Sequence, residues 1–188
     1  MSTPDPRAAL RARRRAIPAS SRIAAAERLA RQLLPLLPAG HVAGYWAVDG
    51  ELPLHVLQLQ LPAQCSYCLP VLREPDQALR FAPWRSGDAL VANRFGIPEP
   101  DVPPQALLQA RDMAAIVMPL TGFDAAGHRL GMGGGWYDRT LAFRREGSAP
   151  PLLIGVGFDE QQVDALPVQP WDVPPDIICT PTRTLHRP

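Results

Sequence analysis

Two amphipathic stretches open the chain and short apolar runs follow them. Over residues 6–17, Arg7, Arg11, Arg14 and Arg15 recur at i, i+4, i+7 and i+8, which puts four cations on one face of a helix. Pro18 and Ala19 break that helix, and Ser20 and Ser21 offer an N-cap for a second one. It reaches about Leu37, with Ile23, Ala26, Ala30, Leu33 and Leu37 as its apolar stripe. From His41 the period shortens. Runs at 41–48, 65–72, 79–84, 114–120, 152–158 and 176–180 read as strands, and the stretches 53–60, 104–110, 136–145 and 160–165 as helices. The runs 114–120 and 152–158 are almost wholly apolar, which suits central parallel strands covered on both faces. Strand alternating with helix predicts an α/β fold with three layers, α/β/α, around a mostly parallel sheet. Proline-rich 97–104 and 167–175 read as surface loops, the first entered by the turn Gly96-Ile97-Pro98-Glu99-Pro100.

A chain of 188 residues with no internal repeat suits one domain, so 1–188 is expected to fold as a unit. Its 23 prolines and 14 glycines stay below the roughly 25–30% of a low-complexity chain. No apolar run approaches the ~18 residues of a membrane span, and residues 1–15 lack the apolar core of a signal peptide. A cytoplasmic protein is expected, with its three cysteines reduced. Cys65-Ser66-Tyr67-Cys68 forms a CxxC, but it runs into the strand-like Leu69-Pro70-Val71-Leu72 rather than a helix N-terminus. Its cysteines, with Cys179, are therefore read as core or strand residues and not as a redox or zinc site.

Charge narrows the chemistry. All 19 basic side chains are arginine, which excludes a Schiff-base lysine, a Walker lysine and a Ser–Lys dyad. Any grip on phosphate falls to arginine, backbone N–H groups or a metal ion. Residues 1–31 hold eight arginines against Asp5 and Glu27, leaving +6 there and −5 on the other 157 residues. A solvated helix face is the commonest fate of such a run. Phosphate binding and a nucleic-acid arm are the functional alternatives, and the acidic body without aromatic–basic interleaving speaks against the arm.

The densest candidate chemistry lies in residues 122–138. Glycines at 127, 131, 133, 134 and 135 permit positive φ and leave N–H groups uncovered ahead of a predicted helix, a place to cradle phosphate. In an open α/β sheet such a loop lies at the carboxyl edge, where ligands bind. A GxGxxG fingerprint starting at Gly131 fails at Trp136, and a Walker loop fails for want of lysine. Arg129, Tyr137, Asp138 and Arg139 add a cation, an aromatic ring and a carboxylate, while Asp124 reads as a turn former.

Gly122-Phe123-Asp124, Gly127, Arg129-Leu130-Gly131, Gly133, Gly135 and Tyr137-Asp138-Arg139 together resemble the hallmark loop of the 5-formyltetrahydrofolate cyclo-ligase (5,10-methenyltetrahydrofolate synthetase) family. The basic first helix, the stretch from Tyr45 to Glu51, the Gly-Ile-Pro-Glu-Pro turn and Asp172-Val173-Pro174-Pro175-Asp176 fall in the family's order. The resemblance implies a fold grouped with sugar-phosphate isomerases and CoA transferases. It also implies ATP- and Mg²⁺-dependent closure of 5-formyltetrahydrofolate to 5,10-methenyltetrahydrofolate through a phosphorylated formyl group. Carried over by position, ATP would meet Arg7, Arg11 and the run Arg129, Leu130, Gly131, Met132, Gly133, Gly134, Gly135, Trp136 and Tyr137. Folate would meet Trp46, Glu51, Phe95 and the shared Met132, Gly133, Gly134, Gly135 and Trp136. Arg129, Trp136 and Tyr137 would be catalytic, and Asp138 with Asp172 would hold Mg²⁺, Asp176 being the substitute for the second ligand. Arg7 stands where the family usually has lysine, Trp136 where it has tyrosine, Gly134 where some members carry lysine, and Trp46 where an aliphatic residue is common. A plain surface role for Glu51, a core role for Phe95 and a turn role for Asp172 are the structural alternatives. The expected partners are small molecules, with neither nucleic acid nor membrane, acting on a monomer; a non-catalytic binding relative is the alternative function.

Overall fold

The computed structural model describes residues 5–73 and 77–187. Its helices are α1 (Arg7–Ala16), α2 (Ala19–Leu33), α3 (His55–Gln60) and α4 (Trp136–Thr140). The strands run β1 (Gly40–Ala43), β2 (Cys65–Arg73), β3 (Ala78–Pro83), β4 (Leu90–Ala92), β5 (Pro98–Pro100) and β6 (Ala115–Pro119). They continue as β7 (Gly122–Phe123), β8 (Arg129–Leu130), β9 (Leu152–Val156), β10 (Ile177–Cys179) and β11 (Thr184–His186).

Seven strands form one sheet in the order β11-β10-β9-β6-β1-β2-β3. The five inner strands are parallel, while β3 and β11 pair antiparallel at the edges. Period-two alternation decides what each face holds. Val42, Val117, Ile154 and Ile177 pack beneath α2 and α3 with Leu29, Leu33 and Leu57. Their neighbours Ala43, Ile116, Met118, Leu153 and Ile178 share the opposite face with Phe81 of β3 and pack there with Leu141 and Met113. Apolar side chains on both faces explain why β6 and β9 read as continuous hydrophobic runs. Each fully buried Leu or Ile contributes roughly 1.5–3 kcal/mol.

The expected α/β architecture is therefore present, with several elements redrawn. The stripe of α2 is Ala25, Ala26, Leu29, Ala30 and Leu33, whereas Ile23 is 57% exposed. At 100° per residue, Ile23 lies roughly a quarter turn from the stripe's centre. Ser20 and Ser21 do not cap this helix; extended Pro18 precedes it with no side-chain cap. Arg22 seals the break instead, donating from Nε to the Ile17 carbonyl and from Nη2 to those of Arg14 and Arg15.

Three expected helices contract. Residues 104–110 form only the 3-10 turns Pro104–Ala106 and Ala110–Asp112, since prolines at 103 and 104 remove N–H donors. Only the 3-10 turn Asp159–Gln161 stands at 160–165. There the buried Gln161 donates from Nε2 to the Leu120 and Thr121 carbonyls and draws the segment onto the sheet. Residues 136–145 divide into the five-residue α4 and the 3-10 turn Ala142–Arg145. The strand expected over 41–48 stops at Ala43. At the next residue, Gly44, a Cβ would overlap the Tyr67 hydroxyl, and beyond its N–H bond to the Cys68 carbonyl no further strand is formed. Part of the 97–104 loop is strand β5, whose two prolines are tolerated because it pairs only with β4 in a two-stranded ribbon.

Candidate active site

The glycine-rich stretch hangs from a small hairpin in which β7 and β8 pair antiparallel. Its turn is clamped by the buried Asp124, as the turn-former reading anticipated. Asp124 Oδ1 accepts from the N–H groups of Ala126 and His128, and Oδ2 lies 2.9 Å from His128 Nδ1 and accepts from the Leu166 N–H. Burial raises the Asp124 carboxyl, but the hydrogen bonds from His128 and Leu166 outweigh it and hold it below the ordinary value. Beyond Leu130 the backbone reaches Gly133 at φ +98° and Gly135 at φ +66°, values L side chains rarely adopt. A Cβ on Gly135 would also meet Arg139 Nη1 at 2.7 Å. The helix that follows is only five residues long, so the uncovered N–H groups of the loop matter more here than any helix dipole.

This loop forms one wall of a cavity of about 1010 Å³ at the carboxyl ends of β1 and β6, where the open-sheet rule places a ligand. The cavity brings together Arg7, Trp46, Glu51, Phe95, the whole run Arg129 to Asp138, and Asp172. These were named from widely separated parts of the sequence. Arg11 lies off this wall: its Nε donates to Asp49 Oδ2 at 2.7 Å.

The aromatic walls are open rather than packed away. Phe95 is 57% exposed at the tip of the β4–β5 ribbon, which replaces the core role by a wall role. Arg94 lies 4.7 Å above its ring and 5.7 Å from that of Trp136. Trp46 meets Trp84 edge-on at 5.9 Å. Tyr137 lines the cavity with its phenol pushed above the ordinary range, by burial first and by the Glu51 charge second. A phenol so raised stays protonated and can donate a hydrogen bond into the cavity.

Glu51 is buried, not a plain surface acid. Its Oε2 accepts from the Val48 N–H at 3.0 Å and its Oε1 lies 3.8 Å from Arg14 Nη1. Burial pushes its carboxyl up to about 7, against the Val48 hydrogen bond and the Arg14 charge, with the Asp49 charge adding to the rise. A carboxyl poised there can present both oxygens to an amino-pyrimidine edge or exchange a proton near neutrality.

Helix α1 turns its arginine face inward. Arg7 Nε donates to the Gly131 carbonyl at 2.9 Å, which docks the helix on the glycine loop. Arg14 and Arg15 join Arg11 on Asp49, at 2.9 and 2.5 Å. Burial works to raise Asp49, yet the hydrogen bonds from Arg11 and Arg15 and the surrounding positive charge carry it down to about 2. The predicted face thus makes contacts within the molecule, with Arg14 buried and Arg15 still more than half exposed.

The acidic candidates separate. Asp138 Oδ1 accepts from Arg129 Nη2 and, at 3.1 Å, from the Val173 N–H. Arg129 Nε donates to the Val173 carbonyl at 2.9 Å, which completes a knot beneath the cavity. Asp172 lines the cavity and its Oδ2 accepts from the Gln169 N–H at 2.8 Å, so the turn role is filled there as well. Asp176 does not serve as a substitute: both its oxygens bind Arg144 Nη2, and Oδ2 also accepts from the Leu153 N–H, away from the cavity. No three His, Cys, Asp or Glu side chains cluster to hold a metal ion among the described residues. A Mg²⁺ ion would therefore take at most Asp138 and Asp172 from the protein and complete its octahedron with phosphate oxygens and water, which suits that ion.

Several wall residues escaped the sequence reading, among them Glu99, Trp171 and Tyr45. Glu99 Oε1 accepts from the Leu72 N–H and from Asn93 Nδ2, both at 2.8 Å, and so pins the ribbon carrying Phe95 to β2. Trp171, 59% exposed at the rim, could have been suspected from its place beside Asp172. Tyr45, whose hydroxyl donates to the Leu52 carbonyl, stood in the sequence only as the start of the landmark stretch that leads to Glu51. The cysteines are free. Cys68 and Cys179 are buried, which pushes their thiols up to about 12 and about 11 and makes them inert core residues as expected. No helix among the described residues is long and apolar enough to cross a membrane.

Known proteins resemble the chain in sequence and in fold. The chain is 36% identical over 180 residues to the 5-formyltetrahydrofolate cyclo-ligase of Escherichia coli K12, covering 93% of this chain and 97% of that one. It is 38% identical over 138 residues to the enzyme of that name from Haemophilus influenzae, covering 72% and 73%. Its fold superposes on the NMR structure of Aquifex aeolicus 5,10-methenyltetrahydrofolate synthetase with a TM-score of 0.78 and 27% identity, over 96% of this chain and 90% of that one. A 5,10-methenyltetrahydrofolate synthetase from Mycoplasma pneumoniae, at 20% identity and a TM-score of 0.70, shares the fold. With a family model matching residues 2–181, the chain that carries this glycine loop belongs to the 5-formyltetrahydrofolate cyclo-ligase family.

Proposed function

We propose that this enzyme closes 5-formyltetrahydrofolate to 5,10-methenyltetrahydrofolate at the expense of ATP, with Mg²⁺ on the phosphates. The observation that carries the proposal is the convergence, on one cavity of about 1010 Å³, of a lysine-free glycine loop, a buried glutamate and aromatic side chains. That volume is at the upper end of small-molecule sites, as a folate beside a nucleotide needs.

The formyl oxygen on N5 is a poor leaving group. In the proposed reaction it attacks the γ-phosphorus of ATP and ADP leaves. N10 then attacks the formyl carbon, the C–O bond breaks, phosphate departs with that oxygen, and N10 gives up its proton. Phosphoryl transfer rests on positioning and charge stabilisation. The N–H groups of Gly131 to Gly135 face the phosphates, Arg129 supplies fixed positive charge from its knot with Asp138, and Arg7 closes the loop from α1. Glu51 orients the pterin by its amino-pyrimidine edge, between Trp46, Phe95 and Trp136. Asp138 and Asp172 would hold Mg²⁺, which when bound offsets negative charge on the transferring phosphoryl group. Tyr137 is the phenolic donor at the position after Trp136, whose indole can stack but has no hydroxyl.

The test is absorbance-monitored formation of the methenyl product with ATP and Mg²⁺, each omitted in turn. Turnover requiring both, and lost in Arg129→Ala, supports the proposal. Folded protein that binds ATP or folate without turnover would refute it and leave a non-catalytic relative.

A further inference from the structure

Arg14 is 1% exposed, yet it lies on a helix whose other arginines are half-buried or exposed. Its Nε donates to the Asp49 carbonyl at 3.0 Å and its Nη2 to Asp49 Oδ2 at 2.9 Å. Nη1 donates to the Leu120 carbonyl at 3.3 Å, just past the end of β6, and lies 3.8 Å from Glu51 Oε1. Nη2 also reaches Met132 Sδ in the glycine loop at 3.9 Å. One guanidinium thus touches α1's partner turn, the sheet edge, the glycine loop and the buried acid.

A buried arginine is a poor device for stability alone, because an apolar side chain of similar volume often serves as well or better. The neighbouring pairs differ: Arg11 and Arg15 keep side-chain exposures of 37% and 55%, where ion pairs contribute little. Arg14 is spent where the cavity needs a fixed acid.

We propose that Arg14 is a positioning residue that holds the Asp49–Glu51 turn, and with it the Glu51 carboxyl, against the substrate cavity. The inference rests on the proposed folate-facing role of Glu51. Charged and titratable groups face Glu51 from each element around it: Arg14 from α1, Asp49 from its own turn, Tyr45 beyond β1 and Tyr137 from α4. Arg14 favours the ionised acid and Asp49 opposes it, so removing either must move the acid in opposite directions. A merely structural role would not produce that sign change.

The experiment is an NMR titration of the Glu51 carboxyl carbon in the full chain and in Arg14→Gln, Arg14→Lys and Asp49→Asn. The acid limb of kcat/KM for 5-formyltetrahydrofolate is followed in parallel. Losing the cation should raise the Glu51 midpoint by about one pH unit or more. Asp49→Asn should lower it, Arg14→Lys should stay near the native chain, and the kinetic limb should follow each midpoint. Equal midpoints in all variants, or shifts of the same sign in Arg14→Gln and Asp49→Asn, would overturn the proposal. Should Arg14→Gln fail to fold, the downward shift in Asp49→Asn and the retained midpoint in Arg14→Lys decide it, and their absence refutes it. If the native chain shows no turnover, the cyclo-ligase reading falls, while the NMR midpoints still decide the role of Arg14.

Discussion

Replacing Asp138 should reveal two roles in one side chain. Its Oδ1 anchors Arg129 Nη2 and the Val173 N–H, and the Arg129 side chain is only 6% exposed. Asp138→Ala leaves that guanidinium with only its bond to the Val173 carbonyl and strands one backbone donor. Removing one partner of a fully buried pair costs about 3–5 kcal/mol. The Asp138 side chain is 21% exposed, so water can reach the vacated space and about 2–3 kcal/mol is the expected loss. Asp138→Asn keeps an oxygen for the knot and exchanges a charged hydrogen bond for a neutral one, a loss of about 1 kcal/mol. Urea unfolding of the ligand-free chain measures both. Thermal shift on adding Mg²⁺ with ATP then reports the second role: stabilisation by the metal-nucleotide should shrink in Asp138→Asn even though its ligand-free fold is nearly native. If Asp138→Ala unfolds at the native urea midpoint, the knot does not hold the loop and the reasoning is wrong.

Gly44→Ala would push a methyl group into the Tyr67 ring and should cost about 1–3 kcal/mol in urea unfolding; a change under about 0.5 kcal/mol would show that Tyr67 is free to move. Glu51, 6% exposed, is raised from 4.5 to about 7 by burial, so stability is full below the unfolded value and falls as pH rises through the folded one. Glu51→Gln should lose activity with the carboxylate yet gain stability over the native chain, rising from under about 1 kcal/mol at pH 5 to about 3 kcal/mol at pH 7 and above, which melts at each pH would measure. Phe95→Ala should leave the melting temperature within about 2 °C of the native chain, because the ring is largely exposed, while KM for the folate rises several-fold in steady-state kinetics.

Local patterns carried much of this far. The arginine face of α1, all six strands first read and the turn at Asp124 were legible because alternation, helical spacing and glycine density are written within a few residues of one another. The glycine loop was legible for a further reason, since it matches a family's hallmark at twelve positions between Gly122 and Arg139. Where the reading failed, the cause was local proline at 104–110 and competition from a distant part of the chain at 160–165. Residues 160–165 have helical spacing, but Gln161 finds the Leu120 and Thr121 carbonyls and does not propagate a helix. Strand β1 ends at Ala43, and the missing Cβ at Gly44 is what lets the Tyr67 hydroxyl of the neighbouring strand lie against the chain there.

Charges show the division most clearly. That this chain holds arginines at 7, 11, 14 and 15 and acids at 49, 51, 138, 172 and 176 is a property of the sequence alone, and so is the exclusion of lysine chemistry. Which acid each arginine meets was decided by the order of the strands. The sheet sets α1 beside the loop after β1, so that Arg11, Arg14 and Arg15 converge on Asp49 while Arg7 reaches Gly131. It also gives Asp176 to Arg144 and leaves Asp138 and Asp172 on the cavity. An ion pair or a buried carboxyl is set by distances of a few ångströms between residues tens of positions apart. Only the packed sheet supplies those distances.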